Sequence, residues 1–302
     1  MRIPFKCCIC SSSLCLLTET YTICSNCGHR YAIQINICGV VVNERLQLAR
    51  AMRLDALTRA QLRLTLREAL LQKSLLDVGC GTGKFLWHTR AHFSHVTGIE
   101  VSNKSIQFAS SELGLEVFND VRCTTGPFDV VTSWHALEHI SAPSLVRLLN
   151  DLRLRCHQNT KVIVCVPNPN SLPARLLGKR WGFRDIESHL HEFSRCSLDE
   201  LHRQAGFQPE KSHRIFAYNL FAWVQSLANL SPLPHNYFYY RLKRGWVFGF
   251  GRIALFTRDV LAALWLLPAV VIGTGCALVE HFFAREKSVH LVVYRPVYDP
   301  LS

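Results

Sequence analysis

The stretch "LLDVGCGTGKFL", residues 75–86, is an apolar run that breaks into three glycines within five residues and then resumes with helical spacing. A strand that ends in Asp77 and turns through Gly79, Cys80, Gly81 and Gly83 lets the backbone pass close beneath a ligand. It also presents amide N–H groups at a helix N-terminus. The next apolar run, "VTGIEV" (96–101), places Glu100 and Val101 at a strand end, about the twenty-residue interval at which an acid meets ribose hydroxyls in nucleotide-binding folds. Together these features predict a site for an adenosine-type cofactor. Lys84 stands where a dinucleotide fingerprint needs a further glycine, and no phosphate-loop pattern occurs, so hydride transfer and nucleotide hydrolysis lose support.

Outward from the turn, short apolar runs alternate with helical stretches: "LEVF" (115–118), "FDVVTSW" (128–134) and "KVIVCVP" (161–167). This alternation predicts βαβ units and a mostly parallel sheet. Before the turn, leucines spaced by three and four with arginines between them predict an amphipathic helix within residues 44–74. After it, "SLDELHRQAGF" (197–207) predicts a helix with Ser197 and Glu200 as a capping box and Gly206 as its stop. A strand is expected over 208–216, and another in "SVHLVVYRP" (288–296).

The chain has 302 residues, 49% of them apolar, which is ample for a packed core and excludes a disordered protein. A formal charge of +12 and a pI near 9.3 point to anionic partners, either nucleic acid or an anionic membrane face. The thirteen cysteines are odd in number and mostly single within apolar segments, which suits a reducing compartment rather than a disulfide framework. The N-terminus reads as no secretory signal, so a cytoplasmic location is expected.

The block D-V-G-C-G-T-G resembles motif I of class I S-adenosylmethionine-dependent methyltransferases, and the resemblance runs through most of the chain beyond residue 75. It implies a Rossmann-like α/β fold with a seven-stranded sheet and S-adenosylmethionine lying across the strand ends. Asp77 and the glycine backbone would face the methionine part of the cofactor and Glu100 the ribose. Asn119 or Asp120 in "FNDV" would lie near the adenine. "TSWHALEHI" (132–140), with Ser133 and Trp134, resembles the family's fourth motif. "VPNPNS" and "GKRWGFRDIESHLHEFS" (178–194) resemble the branch that serves glycan, quinone and natural-product pathways.

Methyl transfer from a sulfonium is an in-line displacement, so the protein must align an acceptor and, for a hydroxyl, take its proton. His135, Glu138 and His139 share one face of an expected helix start, where they could supply a base or bind a divalent metal. Quinone-pathway O-methyltransferases carry a similar cluster, with a carboxylate where this chain has His135. His189 and His191 alternate in "SHLHEF", with His189 toward the acceptor.

Two further segments stand apart. Cys7-x-x-Cys10 and Cys24-x-x-Cys27, thirteen residues apart, match four-thiolate zinc spacing and predict a structural zinc ribbon over residues 1–42. Similar ribbons precede methyltransferase domains, some of which act on ribosomal RNA. Residues 43–217 would be the methyltransferase domain, 218–286 a hydrophobic helical insertion, and 287–302 the last strand and tail. Within the insertion, "VLAALWLLPAVVIGTGCALV" (260–279) carries no charge and matches a bilayer-spanning length. A following strand of the same sheet excludes a single span. Pro268 and the Gly273–Gly275 cluster predict a broken hairpin or an in-plane segment, with membrane contact through 255–285. Arg241, Lys243, Arg244, Arg252 and Arg258 just before it would favour anionic headgroups.

The composite expectation is a methyltransferase on the cytoplasmic side of a membrane, acting on oxygen of a small-molecule, glycan or lipid-linked acceptor. Two alternatives remain at this point: a zinc-ribbon RNA methyltransferase, and a catalytically silent methyltransferase-like subunit that binds a partner. "VPNPNS" departs from the signature of amino-methylating enzymes and the insertion is too apolar for a phosphate track, which disfavours nucleic acid.

Overall fold

The computed structural model describes residues 7–12, 16–17, 21–32, 52, 54–69, 74–185, 188–244 and 253–298. Near the N-terminus, β1 (Leu16–Leu17), β2 (Tyr21–Ile23) and β3 (Arg30–Ala32) form an antiparallel ribbon. Helix α1 (Ala56–Glu68) follows, capped by Asp55, whose carboxylate accepts from the Thr58 N–H. The period read over 44–74 therefore forms this shorter helix, and residues 44–51 lie outside the described residues.

The alternating segment supplies β4 (Ser74–Val78), α2 (Lys84–Thr89), β5 (His95–Ile99), α3 (Asn103–Ser111), β6 (Glu116–Phe118), β7 (Phe128–Trp134), α4 (Ala142–Arg153) and β8 (Cys156–Pro167). After α5 (Leu172–Leu177) come β9 (His191–Glu192), α6 (Arg195–Gln204) and β10 (Phe207–Ser212). The chain ends in α7 (Phe216–Ala228), α8 (Tyr237–Arg244), α9 (Ile253–Phe283) and β11 (Val289–Pro296).

The main sheet has seven strands in the order β10-β11-β8-β7-β4-β5-β6. Strands β4 to β8 run parallel, and β11 is antiparallel to both its neighbours. Burial on both faces explains the uninterrupted apolar runs: Leu75, Leu76, Val130, Val131, Ile163, Val164, Val292 and Val293 are all buried. Because β4 sits between β5 and β7, the order reverses there, and the crevice beyond its C-terminal end is where such sheets bind ligands.

The cap of α6 differs from the expected one. Ser194, not Ser197, is the N-cap and accepts from the Ser197 N–H, while Glu200 pairs with Arg203. The helix begins earlier because Ser194 Oγ also donates to the Cys27 carbonyl, anchoring its first turn to the ribbon.

The apolar insertion also departs from the broken hairpin. Helix α9 is continuous through Pro268, because contacts on both sides of the proline hold it against α7 and α8. Trp265 Nε1 donates to the Leu227 carbonyl at 3.2 Å, and Ala269 is buried with Ala228 and Phe238. Gly273 gives close helix approach rather than a break, since a Cβ there would lie 2.9 Å from Val224 Cγ2. At the C-terminal end, buried Glu280 accepts from Trp223 Nε1 at 2.5 Å and from Ser288 Oγ at 2.7 Å. Lys287 Nζ donates to the carbonyls of Glu280, His281 and Ala284, satisfying groups that a helix end leaves orphaned. The outer face of α9 is exposed and apolar: Leu264, Leu267, Val271, Ile272, Phe282 and Phe283 all face outward. The side chains of Arg241, Lys243, Arg244, Arg252 and Arg258 lie outside the described residues.

Candidate active site

Strand β4 delivers Asp77 to the crevice, and the backbone after it takes positive φ at Gly79, Gly81 and Gly83. The two turn positions that bear on a ligand differ in kind. A Cβ on Gly79 would lie 2.3 Å from Ala136 Cβ, so this glycine lets the turn close on the segment after β7. A Cβ on Gly81 would meet nothing within 4 Å, so this glycine borders open space.

Asp77 is 3% exposed, and its Oδ1 accepts from Thr132 Oγ1 at 2.7 Å. Burial pushes its carboxyl up to about 7 against the Thr132 bond, and the Glu100 charge adds to the rise. Glu100 closes the same end: Oε2 accepts from the Gly81 N–H, and Oε1 from the N–H groups of Val101 and Ser102, each at 2.9 Å. A carboxylate has about four lone-pair sites, so capacity remains for a pair of hydroxyls. Two acids beside an open glycine turn fit a nucleoside ligand that carries positive charge. Asn119 is exposed, whereas Asp120 is engaged by Arg122 at 2.6 Å, which holds its carboxyl at about 2. Cys80 is buried beside Gly98, Val101 is exposed, and the Ser133 hydroxyl and Trp134 Nε1 are buried without partners.

Across the turn lies the segment His135–Ile140. The expected helix start is instead a left-handed residue, His135 at φ 53°, followed by a 3-10 turn over Leu137–His139. That geometry gives His135 and His139 different neighbours. His135 Nδ1 lies 3.3 Å from Glu138 Oε1, while His139 turns away toward His189, their rings edge-on at 4.7 Å. Burial works against charge on both members of the first pair, but each favours the other's ionised form. Cys165 and Glu138 hold His135 well above the usual imidazole range, and His135 holds Glu138 below the carboxylate range. Burial lowers His189 to about 4, so it is neutral at physiological pH.

Several donor atoms meet here. Glu138, His139 and His189 each offer one within 4.8 Å of the others, a set that can move a proton or chelate a cation. In the ribbon, Cys7, Cys10, Cys24 and Cys27 converge in the same way, with Cys7–Cys27 sulfurs 3.7 Å and Cys10–Cys24 sulfurs 3.6 Å apart. Four thiols so gathered fit a tetrahedral soft-metal site. Cys8 falls outside that set and lies with His29 and His191.

Sequence reading missed the groups that surround His135. Its ring stacks on Phe183 at 5.3 Å, touches Tyr218 at 5.1 Å, and places Nε2 3.6 Å from Cys165 Sγ. Gln61 of α1 donates to Tyr218 Oη at 2.7 Å across 157 residues of sequence. Phe183 is one of several aromatics in residues 178–194, with nothing local to mark its role, and Gln61 carries no local signal.

A family model described as a methyltransferase domain matches residues 47–212. A ubiquinone biosynthesis O-methyltransferase from Chromobacterium violaceum is 37% identical over 93 residues, covering 26% of this chain and 39% of that protein. The protein of the same name from Bordetella parapertussis is 28% identical over 176 residues, covering 53% and 72%. The chain thus spans between two-fifths and three-quarters of the length of these two relatives. The cyclopropane synthase MmaA2 from Mycobacterium tuberculosis superposes with a TM-score of 0.51 at 15% identity, covering 81% of this chain and 86% of that one, a likeness of fold.

The raised carboxyl of Asp77 generates a pH signature. A cationic ligand beside it favours the ionised form, so below pH 7 binding must expel a proton and affinity falls as pH falls. Calorimetry of S-adenosylmethionine binding at pH 6.5 in buffers of different ionisation enthalpy should show proton release, abolished in Asp77→Asn. Equal heats in all buffers would place the cation elsewhere.

Proposed function

The chain belongs to the methyltransferase-domain family, and from that premise we propose that it transfers the methyl group of S-adenosylmethionine to a hydroxyl of a small, apolar or lipid-linked acceptor at a membrane surface. The observation that carries the reading is the open space over Gly81, flanked by Asp77 and Glu100 and faced, across the Gly79–Ala136 contact, by the His135–Glu138–His139–His189 group. When bound, the cofactor supplies an electrophilic methyl on a sulfonium. Asp77 and the turn backbone hold its methionine end, and Glu100 holds the ribose. His189, kept neutral by burial, accepts the hydroxyl proton as the acceptor oxygen attacks, and Glu138 stabilises the resulting imidazolium.

Oxygen as the acceptor atom is supported by the two relatives, both ubiquinone biosynthesis O-methyltransferases. An apolar acceptor is supported by a file of aromatic rings, His135–Phe183–Phe221–Tyr239, with centroids 5.3, 5.0 and 5.8 Å apart, leading from the site to the flank of α7 and α8. Alongside lies α9, of which only 22% is buried over Ala263–Phe283, an apolar face too open for a core helix. Its C-terminal half is clamped to α7 through Glu280, and β11 follows within the sheet. The helix therefore suits lying along one leaflet of a cytoplasmic membrane face rather than crossing it. Many basic side chains are already engaged with acids, among them Arg30, Lys161, Arg195, Arg203 and Lys211, which favours a small acceptor over nucleic acid. In the ribbon, Cys7, Cys10, Cys24 and Cys27 are assigned a structural zinc, which a segment of two- and three-residue strands needs for order.

Four measurements test these readings. Gly81→Arg should abolish S-adenosylmethionine binding in calorimetry, whereas His189→Gln should keep it and lower turnover of a prenylated catechol by about 10²-fold or more. Intact turnover in His189→Gln would remove that residue as the base. Protein floated with anionic vesicles should remain bound in high salt, and Leu267→Asp with Val271→Asp should release it; a double variant that floats equally would discard the leaflet contact. Metal analysis of protein purified without chelator should give one zinc per chain, lost on Cys24→Ser, and a metal-free preparation would reject the ribbon assignment.

A further inference from the structure

Residues 188–192 lie between two structures that the sequence presents as separate. On the inner side, three hydrogen bonds tie them to the turn that carries Glu138 and His139. The Leu190 N–H donates to the Glu138 carbonyl at 2.8 Å, His139 Nδ1 to the Ser188 carbonyl at 3.0 Å, and His191 Nε2 to the Ile140 carbonyl at 2.8 Å. On the outer side, β9 is the fourth strand of the ribbon sheet, pairing Glu192 with Arg30 and His191 with Tyr31. Arg30 Nη1 reaches Glu192 Oε2 at 3.0 Å, and Gln204 Nε2 donates to the Ile9 carbonyl at 2.6 Å. Cys7, Ile9, Cys24 and Cys27 are buried in one apolar cluster with Leu137, Phe193, Leu198 and Leu201. The knuckles are part of the domain core, not an appendage.

The tautomers along this connection follow from the acceptors. A carbonyl can only accept, so His191 carries its proton on Nε2 and presents a lone pair at Nδ1. His29 Nε2, 3.0 Å away, must then donate to it. Both nitrogens of His191 are spent, which makes the ring a relay from ribbon to turn rather than a ligand in the Cys8–His29–His191 group. By the same logic His139 carries its proton on Nδ1 and its lone pair on Nε2, with its ring edge-on to His189 at 4.7 Å.

We propose that the cysteine knuckles form the outer wall of the catalytic site, and that His191 is a positioning residue: through it the ribbon fixes the orientation of His139 and His189. A two-residue strand has no stability of its own, so the order of 188–192 depends on what it pairs with. The cofactor cradle is built from β4, β5 and β7 and makes none of these bonds, so loosening the ribbon should spare cofactor binding and impair transfer. The inference rests on the methyl-transfer reading for its kinetic readout, and the spectroscopic readout below stands without it.

The full-length chain is compared with His191→Phe, which keeps the ring stacked on Phe193 but loses both hydrogen bonds, and with His191→Gln, whose amide N–H can replace Nε2 toward Ile140. S-adenosylmethionine affinity should stay within about twofold in both, while saturated turnover falls at least about tenfold in His191→Phe and recovers in His191→Gln, as expected for sub-ångström misplacement. Side-chain nitrogen spectra should show His139 as a single Nδ1–H tautomer in the parent and in His191→Gln. Averaged tautomers are expected in His191→Phe and after chelation of the ribbon metal. Should His191→Phe fail to fold, His29→Phe interrupts the relay one ring further out and is read in the same way. An unchanged His139 tautomer with unchanged turnover would overturn the proposal. If the parent turns over no acceptor, the methyl-transfer reading fails, and the tautomer comparison alone decides the ribbon's role.

Discussion

An acid at the end of a strand buried on both faces has nowhere to spread its charge, and Asp77 is that acid. At 3% exposure it keeps, among the described residues, a single side-chain hydrogen bond, from Thr132 of the neighbouring strand. A lone carboxylate in such a place is costly unless a cation compensates it. The surrounding structure leaves room for that compensation. Gly79 closes the turn against Ala136, Gly81 leaves the space above it open, and the strand order reverses at β4 so that the crevice is not filled by a crossing connection.

The same logic separates the charges of the site into two groups. Glu138 is fully buried too, but it has a cationic partner beside it in His135, 3.3 Å away. His135 accepts a left-handed backbone to make that contact, a cost of the order of 1–3 kcal/mol that persists only where the surroundings over-determine it. Here they do: Phe183, Tyr218 and Cys165 surround the ring. Among the described residues neither Asp77 nor Glu100 has an ion-pair partner, so the crevice gathers acids in a chain with a formal charge of +12. A cationic cofactor is drawn to one spot rather than repelled from the protein at large.

What could be read from sequence follows the range of the interactions involved. Asp77, the three glycines and Glu100 lie within 24 residues and are joined by adjacent parallel strands, so their meeting is a consequence of one βαβ unit. The last strand is legible as a strand because it is an apolar run buried on both faces, whereas its antiparallel pairing with β8 and β10 has no signal in that run. Local rules misled where tertiary contacts outweighed them. Pro268 and Gly273 suggest a break, yet packing against α7 carries the helix through both. Ser197 satisfies a capping pattern, but the carbonyl of Cys27, 167 residues away from Ser194, selects the earlier cap. The contacts of Gln61 with Tyr218 and of His29 with His191 span 157 and 162 residues, and nothing near either residue announces them.

Those long-range contacts also explain why a ribbon and a catalytic domain that look modular in sequence are not modular in space. A ribbon of two- and three-residue strands buries too little to fold alone, and the catalytic domain would leave residues 188–192 without a pairing partner. Each supplies what the other lacks. The ribbon gains a fourth strand and the apolar cover of Phe193, Leu198 and Leu201, while residues 191–192 gain a sheet to pair with. The Arg30–Glu192 pair sits at this seam, with the Glu192 carboxylate buried and held by Arg184 as well as by Arg30, as a buried charge requires. The seam therefore resists separation from both sides.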